Sequence, residues 1–162
     1  MNLLRKREAV SSFEILIGTG AIALALDQAT KAVVVQTLDP DRPVRVIKGI
    51  LYWTLQRNPG AAFGIFQRAP VLFTVLAISI AAGILFLSRR PHDRVTAVAL
   101  GLVLGGALGN LADRLFRPPG PFRGRVIDFI DFRVWPTFNI ADAAVVAGAL
   151  LLALQSLRTK SP

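Results

Sequence analysis

The sequence predicts an all-α integral membrane protein, with four transmembrane helices and a small extracytoplasmic β-rich cap. Three observations point there. The 162-residue chain is 53% hydrophobic yet carries a net charge of +9, so its apolar and charged residues must be segregated. Ala69–Ser88 and Val95–Ala112 hold no charged residue over 20 and 18 residues, and Ala143–Leu157 holds none over 15. A helix of about 18 or more apolar residues crosses a hydrocarbon core of about 30 Å. Third, the two long connections contain β-branched and aromatic stretches bounded by Pro and Gly, the composition of short strands.

The first helix is placed at 13–35. It is apolar except for Glu14, Asp27 and Lys31, and it follows Arg5, Lys6 and Arg7. A basic start, an apolar stretch and Ala23-Leu24-Ala25 also fit a cleaved signal peptide. The run continues through Val33, Val34 and Val35, which favours a retained helix. The other helices fall at 69–88, 95–113 and 138–157, with connections at 36–68 and 114–137. At this length the chain reads as a single membrane-embedded domain.

Lys and Arg in short loops mark the cytoplasmic side. The N-terminal tail, the turn at 89–94 and the C-terminal tail (Arg158, Lys160) carry eight, against ten in the two longer connections. Their density in the shorter segments places both termini in the cytoplasm. The basic surplus is explained by orientation and anionic headgroups, with no nucleic-acid partner.

In the first connection Val44–Ile47 and Ile50–Leu55 read as strands around Lys48-Gly49. Arg57-Asn58-Pro59-Gly60 is a turn signal merging into Ala61-Ala62-Phe63-Gly64, where Asn58 is an ordinary turn residue. The second connection opens with Arg117-Pro118-Pro119-Gly120-Pro121, which cannot be helical. Its Arg125–Trp135 stretch is a strand or an interfacial segment with its aromatics at headgroup level.

The chain has no cysteine and a single histidine, His92. That excludes disulfides, thiol nucleophiles and zinc sites of the usual kind. No cofactor is expected.

Two near-identical words remain, Asn110-Leu111-Ala112-Asp113 and Asn139-Ile140-Ala141-Asp142, at the ends of the third and fourth apolar runs. Residues three apart share a helix face, so each amide can hold its neighbouring carboxyl. Asp27 lies 14 residues beyond Phe13, about 21 Å along a helix at about 1.5 Å per residue. In this topology Asp27, Asp113 and Asp142 approach one depth near the outer boundary, and Gly105, Gly106 and Gly109 permit close helix approach. Ionisable groups at membrane depth are costly and usually face a protein interior. Structural alternatives exist: Asp27–Lys31 as a helix ion pair, Arg114 as a surface partner for Asp113, and Asp128 and Asp131 as loop or strand residues. Two nearby carboxyls that share a proton can divide the work of hydrolysis, one as base on a water and the other as acid on a carbonyl. A Ser79–Lys31 arrangement is the nearest rival, at mismatched depth.

Five segments in order resemble the lipoprotein signal peptidases (signal peptidase II) of bacteria: Asp27–Lys31, Asn58–Phe63, Gly105–Arg114, Val126–Ile130 and Phe138–Asp142. The resemblance implies an aspartyl endopeptidase of the bacterial inner membrane, with its site toward the extracytoplasmic side. It implies cleavage of diacylglyceryl-modified prolipoproteins just before the lipidated cysteine, and inhibition by globomycin. Carried over, the catalytic pair is Asp113 and Asp142. Asn110, Asn139 and Ala141 line the site, Asp27 and Lys31 support it, and Asn58, Gly60 and Arg114 help hold substrate. The expected partners are the prolipoprotein and membrane lipids, and the enzyme is expected to act as a monomer.

Three other functions compete. A transporter would use the aspartates as a proton or cation site, a headgroup transferase would hold Mg²⁺ on them, and a structural subunit would tolerate their loss.

Overall fold

The computed structural model describes residues 3–60 and 70–159. Four helices, α1 (Leu3–Thr37), α2 (Pro70–Leu87), α3 (Arg94–Phe116) and α4 (Ile140–Thr159), accompany three strands, β1 (Val44–Ile47), β2 (Leu51–Asn58) and β3 (Val126–Asp131). Ala61–Gly64, Ala69 and Lys160 lie outside the described residues.

Among the described residues three helices are long and apolar enough to cross a membrane, at Ser12–Thr37, Arg94–Phe116 and Ile140–Arg158, and α2 is a shorter apolar helix. With its long spans the chain is a multi-pass membrane protein. Its first helix extends well beyond the expected 13–35 and runs unbroken past Ala25. Pro70 opens α2, where its missing N–H costs nothing. Asp93 caps α3, accepting from the amides of Val95 and Thr96. These bonds hold the Asp93 carboxyl below its usual range, the Thr96 hydroxyl first among them.

α1 and α4 both pack on α3, and the contact surface explains why. A Cβ added to Gly105 would run into the carbonyl oxygen of Gly20 on α1, and one added to Gly106 into that of Ala141 on α4. Without those side chains the backbones close up, as small residues allow in membrane helices. At one end of the bundle Leu16, Ala81, Ile84, Ala97, Leu100 and Leu104 form a core. Val146, Leu150, Leu154 and Leu157 of α4 face outward, a surface suited to lipid.

The other end carries the sheet, antiparallel in the order β1-β2-β3. Gly49 turns β1 into β2 with φ of 76°, a left-handed position that suits glycine. Val34, Leu55, Ile127 and Phe129 join the sheet to α1. In β2–β3 the register pairs Trp53 with Ile130 and Asn58 with Val126. Trp135, just beyond β3, is exposed, as an aromatic residue at headgroup level would be.

Candidate active site

Where the sheet meets the helix ends, polar side chains converge from α1, α3, α4, β2 and β3. Lys31 of α1 stands at the centre and is fully buried. Its Nζ lies 2.8 Å from Asp27 Oδ2 and 2.8 Å from Asp113 Oδ2. It also donates to Asn110 Oδ1 at 3.0 Å. Asp113 takes a second cation from Arg117, one turn on, through its Nε, and the Ile127 amide at 3.2 Å. Gln28 donates to Asp27 Oδ2 and to the Gly109 carbonyl, both at 3.0 Å. A Cβ on Gly109 would occupy the space taken by the Asp27 carboxylate.

A second group of carboxyls is held by amides. Asp128 of β3, fully enclosed, accepts from Asn139 Nδ2 at 2.6 Å and from Asn58 Nδ2 at 2.9 Å. Asp142 accepts from Asn110 Nδ2 at 2.7 Å and from the Asn139 amide at 3.3 Å. The Asp142 amide returns a bond to Asn139 Oδ1 at 2.9 Å. Asn139 therefore touches both carboxyls. The two groups join through Asn110, whose oxygen accepts from Lys31 and from Asn139 Nδ2 at 3.2 Å, and through the Ala141 amide, which donates to Asp27 Oδ1 at 2.9 Å.

Asp27, Asp113 and Asp142 thus come together as the depth argument requires. The amides are arranged differently from the expected pairing within each word. Asn110 crosses to Asp142, and the Asn139 side chain reaches Asp128. The Asp27–Lys31 pair exists, but it is buried and shared with Asp113. Arg114 is not the partner of Asp113; it donates to the Asn110 carbonyl at 3.1 Å and lies 5.8 Å from the Phe73 ring centroid. Asn58 ends β2 and does two things at once, bonding Asp128 and accepting the Gly60 amide at 2.8 Å. Gly60 has φ of 113° and abuts the Phe73 ring. Ser79 donates to the Val75 carbonyl on an exposed face of α2, while Lys31 is buried among carboxylates.

Sequence reasoning missed Gln28, Arg117 and above all Asp128. The signal for Asp128 was available: a carboxylate in Val126-Ile127-Asp128-Phe129-Ile130, a strand otherwise wholly apolar, is seldom left facing water. Asp131, two residues on, does behave as a surface residue, pairing with Arg133 at 3.3 Å.

Burial, and then the Asp142 charge nearby, push the Asp128 carboxyl up to about 7, against the hydrogen bonds from Asn58 and Asn139 and the charge of Lys31. Asp113, by contrast, faces two cations at contact distance. Among the described residues no group of three or more His, Cys, Asp or Glu is placed to hold a metal ion; the Lys31 ammonium occupies the middle of the carboxyls.

Fold and site together define a multi-pass membrane protein with an enclosed carboxyl–lysine–amide network at one end of its helices. A family profile described as "Signal peptidase (SPase) II" matches residues 19–158, and the chain belongs to that family of proteases. It is 46% identical to the lipoprotein signal peptidase of Mycobacterium avium over 143 residues, 88% of this chain and 79% of the relative. The lipoprotein signal peptidase of Mycobacterium tuberculosis is 45% identical over 142 residues, 88% and 70% of the two chains. Among solved structures, a bacterial membrane enzyme determined by the in meso method at 2.3 Å matches with TM-score 0.80 and 30% identity, covering 90% of this chain and 89% of its own. A second, at 1.9 Å, matches with TM-score 0.76 and 30% identity, covering 88% and 92%.

Proposed function

We propose that this chain is a membrane aspartyl endopeptidase that removes the signal peptide from diacylglyceryl-modified prolipoproteins, cutting before the lipidated cysteine. The observation that carries the reading is the pair Asp128–Asp142, one buried and one half-buried carboxyl, both held by amide donors and linked through Asn139. The resemblance assigns the reaction to Asp113 with Asp142. The contacts favour Asp128 in place of Asp113, because both Asp113 oxygens are taken up by Lys31, Arg117 and the Ile127 amide, whereas Asp128 meets only side-chain amides.

Asp142 takes a proton from a water as its oxygen attacks the scissile carbonyl carbon. Asp128, protonated near neutral pH, gives its proton to the carbonyl oxygen. When the tetrahedral species collapses, the proton on Asp142 passes to the leaving amine and Asp128 regains its own. Asn58, Asn110 and Asn139 fix the carboxyl rotamers. Asp27, Lys31 and Asp113 tie the three helices at that level, and Ala141 and Gly60 let the backbone approach. Arg114 and Asn58 stand where the substrate backbone enters.

The whole chain works as one domain and as a monomer. At about 1.5 Å per residue the 18-residue α2 reaches about 27 Å, enough for a fourth crossing. Both termini lie in the cytoplasm, and the site opens on the far side of the bacterial inner membrane. Supporting this is the match to lipoprotein signal peptidases over most of the chain.

The test is cleavage by purified protein in detergent, with EDTA, of a prolipoprotein prepared with and without its diacylglyceryl group. Mass spectrometry should find the lipidated substrate cut before its cysteine and the unmodified one left largely intact. No cleavage of lipidated substrate by folded protein would overturn the proposal.

A further inference from the structure

A cleft of about 360 Å³ lies at the sheet end of the bundle, lined by Arg57, Arg117, Pro118, Pro119 and Arg125. That size is in the range of small-ligand sites, roughly 300–1,000 Å³. Three guanidinium groups share it and no carboxylate lines it. Arg117 lends its Nε to Asp113, and a guanidinium carries five donors in all. Arg57 and Arg125 have no ion-pair partner among the described residues. Gathering three like charges is unfavourable unless something negative joins them.

The backbone holds the three together. Arg57 precedes the last residue of β2 and pairs with Ile127 of β3. Arg125 stands just before β3, and its amide donates to the Pro118 carbonyl at 3.2 Å. Arg117 ends α3. The lining is therefore fixed by a strand register and a helix terminus.

The level of the cleft decides what it binds. α3 is long and apolar enough to cross a membrane and ends at Phe116, which would put Arg117 where hydrocarbon gives way to headgroups. Phe116 and Phe122, on either side of the Arg117–Pro119 rim, are 84% and 48% exposed, apolar surface for acyl chains beside a basic cleft.

We propose that this cleft binds the phosphodiester of an anionic phospholipid headgroup, its oxygens held by Arg57, Arg117 and Arg125 and its chains lying along Phe116. Guanidinium groups suit phosphate because their paired donors match its oxygens. The cleft is separate from the carboxyl pair: it adjoins Asn58 along β2 and reaches Asp113 through Arg117, and its binding does not depend on the proposed chemistry.

The experiment uses the full chain in an uncharged detergent, titrated with dihexanoyl phosphatidylglycerol. Dihexanoyl phosphatidylcholine, inorganic phosphate and an acidic peptide serve as comparators, each read by thermal shift and by thermophoresis. The expected result is saturable binding of the phosphatidylglycerol, at least 10-fold tighter than any comparator. Arg57→Gln with Arg125→Gln should weaken it at least 10-fold without lowering the ligand-free unfolding temperature, since both side chains are exposed and have no ion-pair partner among the described residues. Arg125→Glu alone should weaken it as well. Equal binding to wild type and double variant would overturn the proposal. So would tighter binding of inorganic phosphate, which would make this a free-anion site, or of the acidic peptide, which would make it a protein-docking site.

Discussion

Lys31 Nζ stands 2.8 Å from Asp113 Oδ2, and both side chains are wholly buried. The contact ties α1 to α3 across the interface where Gly20 meets Gly105. With Arg117 on the other oxygen, it leaves both carboxylate oxygens of Asp113 engaged by cations.

Removing one partner of such a pair strands the other. Lys31→Met leaves Asp27 and Asp113 facing each other without their shared cation, and a broken buried pair costs about 3–5 kcal/mol. Thermal unfolding in detergent should show Lys31→Met as the most damaging single change in this cluster. Asp113→Asn, which leaves Lys31 with Asp27 and Asn110, should cost less.

The glycine contacts make a second, independent prediction. Gly105→Ala forces a methyl into the Gly20 carbonyl, and Gly106→Ala forces one into that of Ala141. Overpacking of this kind costs about 1–3 kcal/mol. Gly83→Ala, where an added Cβ meets nothing within 4 Å, is the control and should be neutral or slightly stabilising.

Asp128 sets a pH dependence. Its carboxyl titrates near 7 when folded, against an ordinary value of 3.8, so the folded protein holds this proton more tightly than the unfolded chain. The stability this contributes is fully present below about pH 4, falls between pH 4 and 7, and stays low above. Asp128→Asn should flatten that decline, leaving a variant more heat-stable than wild type at pH 8 by on the order of 5 °C. In the same account kcat/KM of the wild type falls as pH rises through about 7, because the acid of the pair loses its proton.

Asn139 is the joint of the network. Asn139→Ala takes a donor from Asp128 and leaves the Asp142 amide unpaired, and each stranded buried group costs about 1–3 kcal/mol. Its effect on cleavage per folded molecule should exceed that of Asn58→Ala, which removes a donor from Asp128 and the acceptor of the Gly60 amide but leaves the contacts of Asp142 intact.

The sequence carried the helices because charge-free runs need only be counted, and it carried β1 and β2 because Gly49 separates two β-branched stretches. It also brought Asp27, Asp113 and Asp142 to one level, since helical rise converts residue number into depth. It could not show which amide meets which carboxyl. Asn110 and Asp113 share a face, yet Asn110 turns to Asp142, because Lys31 from another helix already occupies Asp113. Asp128 was harder to place for a similar reason: a strand residue has no depth until its register opposite Gln56 and its contacts with Asn58 and Asn139 are known. The length of α2 is legible in both, but its start adjoins residues 61–69, outside the described chain.

The most direct test of the central claim compares Asp128→Asn, Asp142→Asn and Asp113→Asn. Each is purified, checked for folding, and given diacylglyceryl-modified prolipoprotein in the presence of EDTA. The account predicts at least a 1,000-fold loss of cleavage per folded molecule for the first two, roughly the scale of losing a general acid or base. It predicts reduced stability with measurable cleavage for Asp113→Asn. Near-normal cleavage by folded Asp128→Asn, with cleavage abolished in a stably folded Asp113→Asn, would contradict it and return the reaction to Asp113 and Asp142.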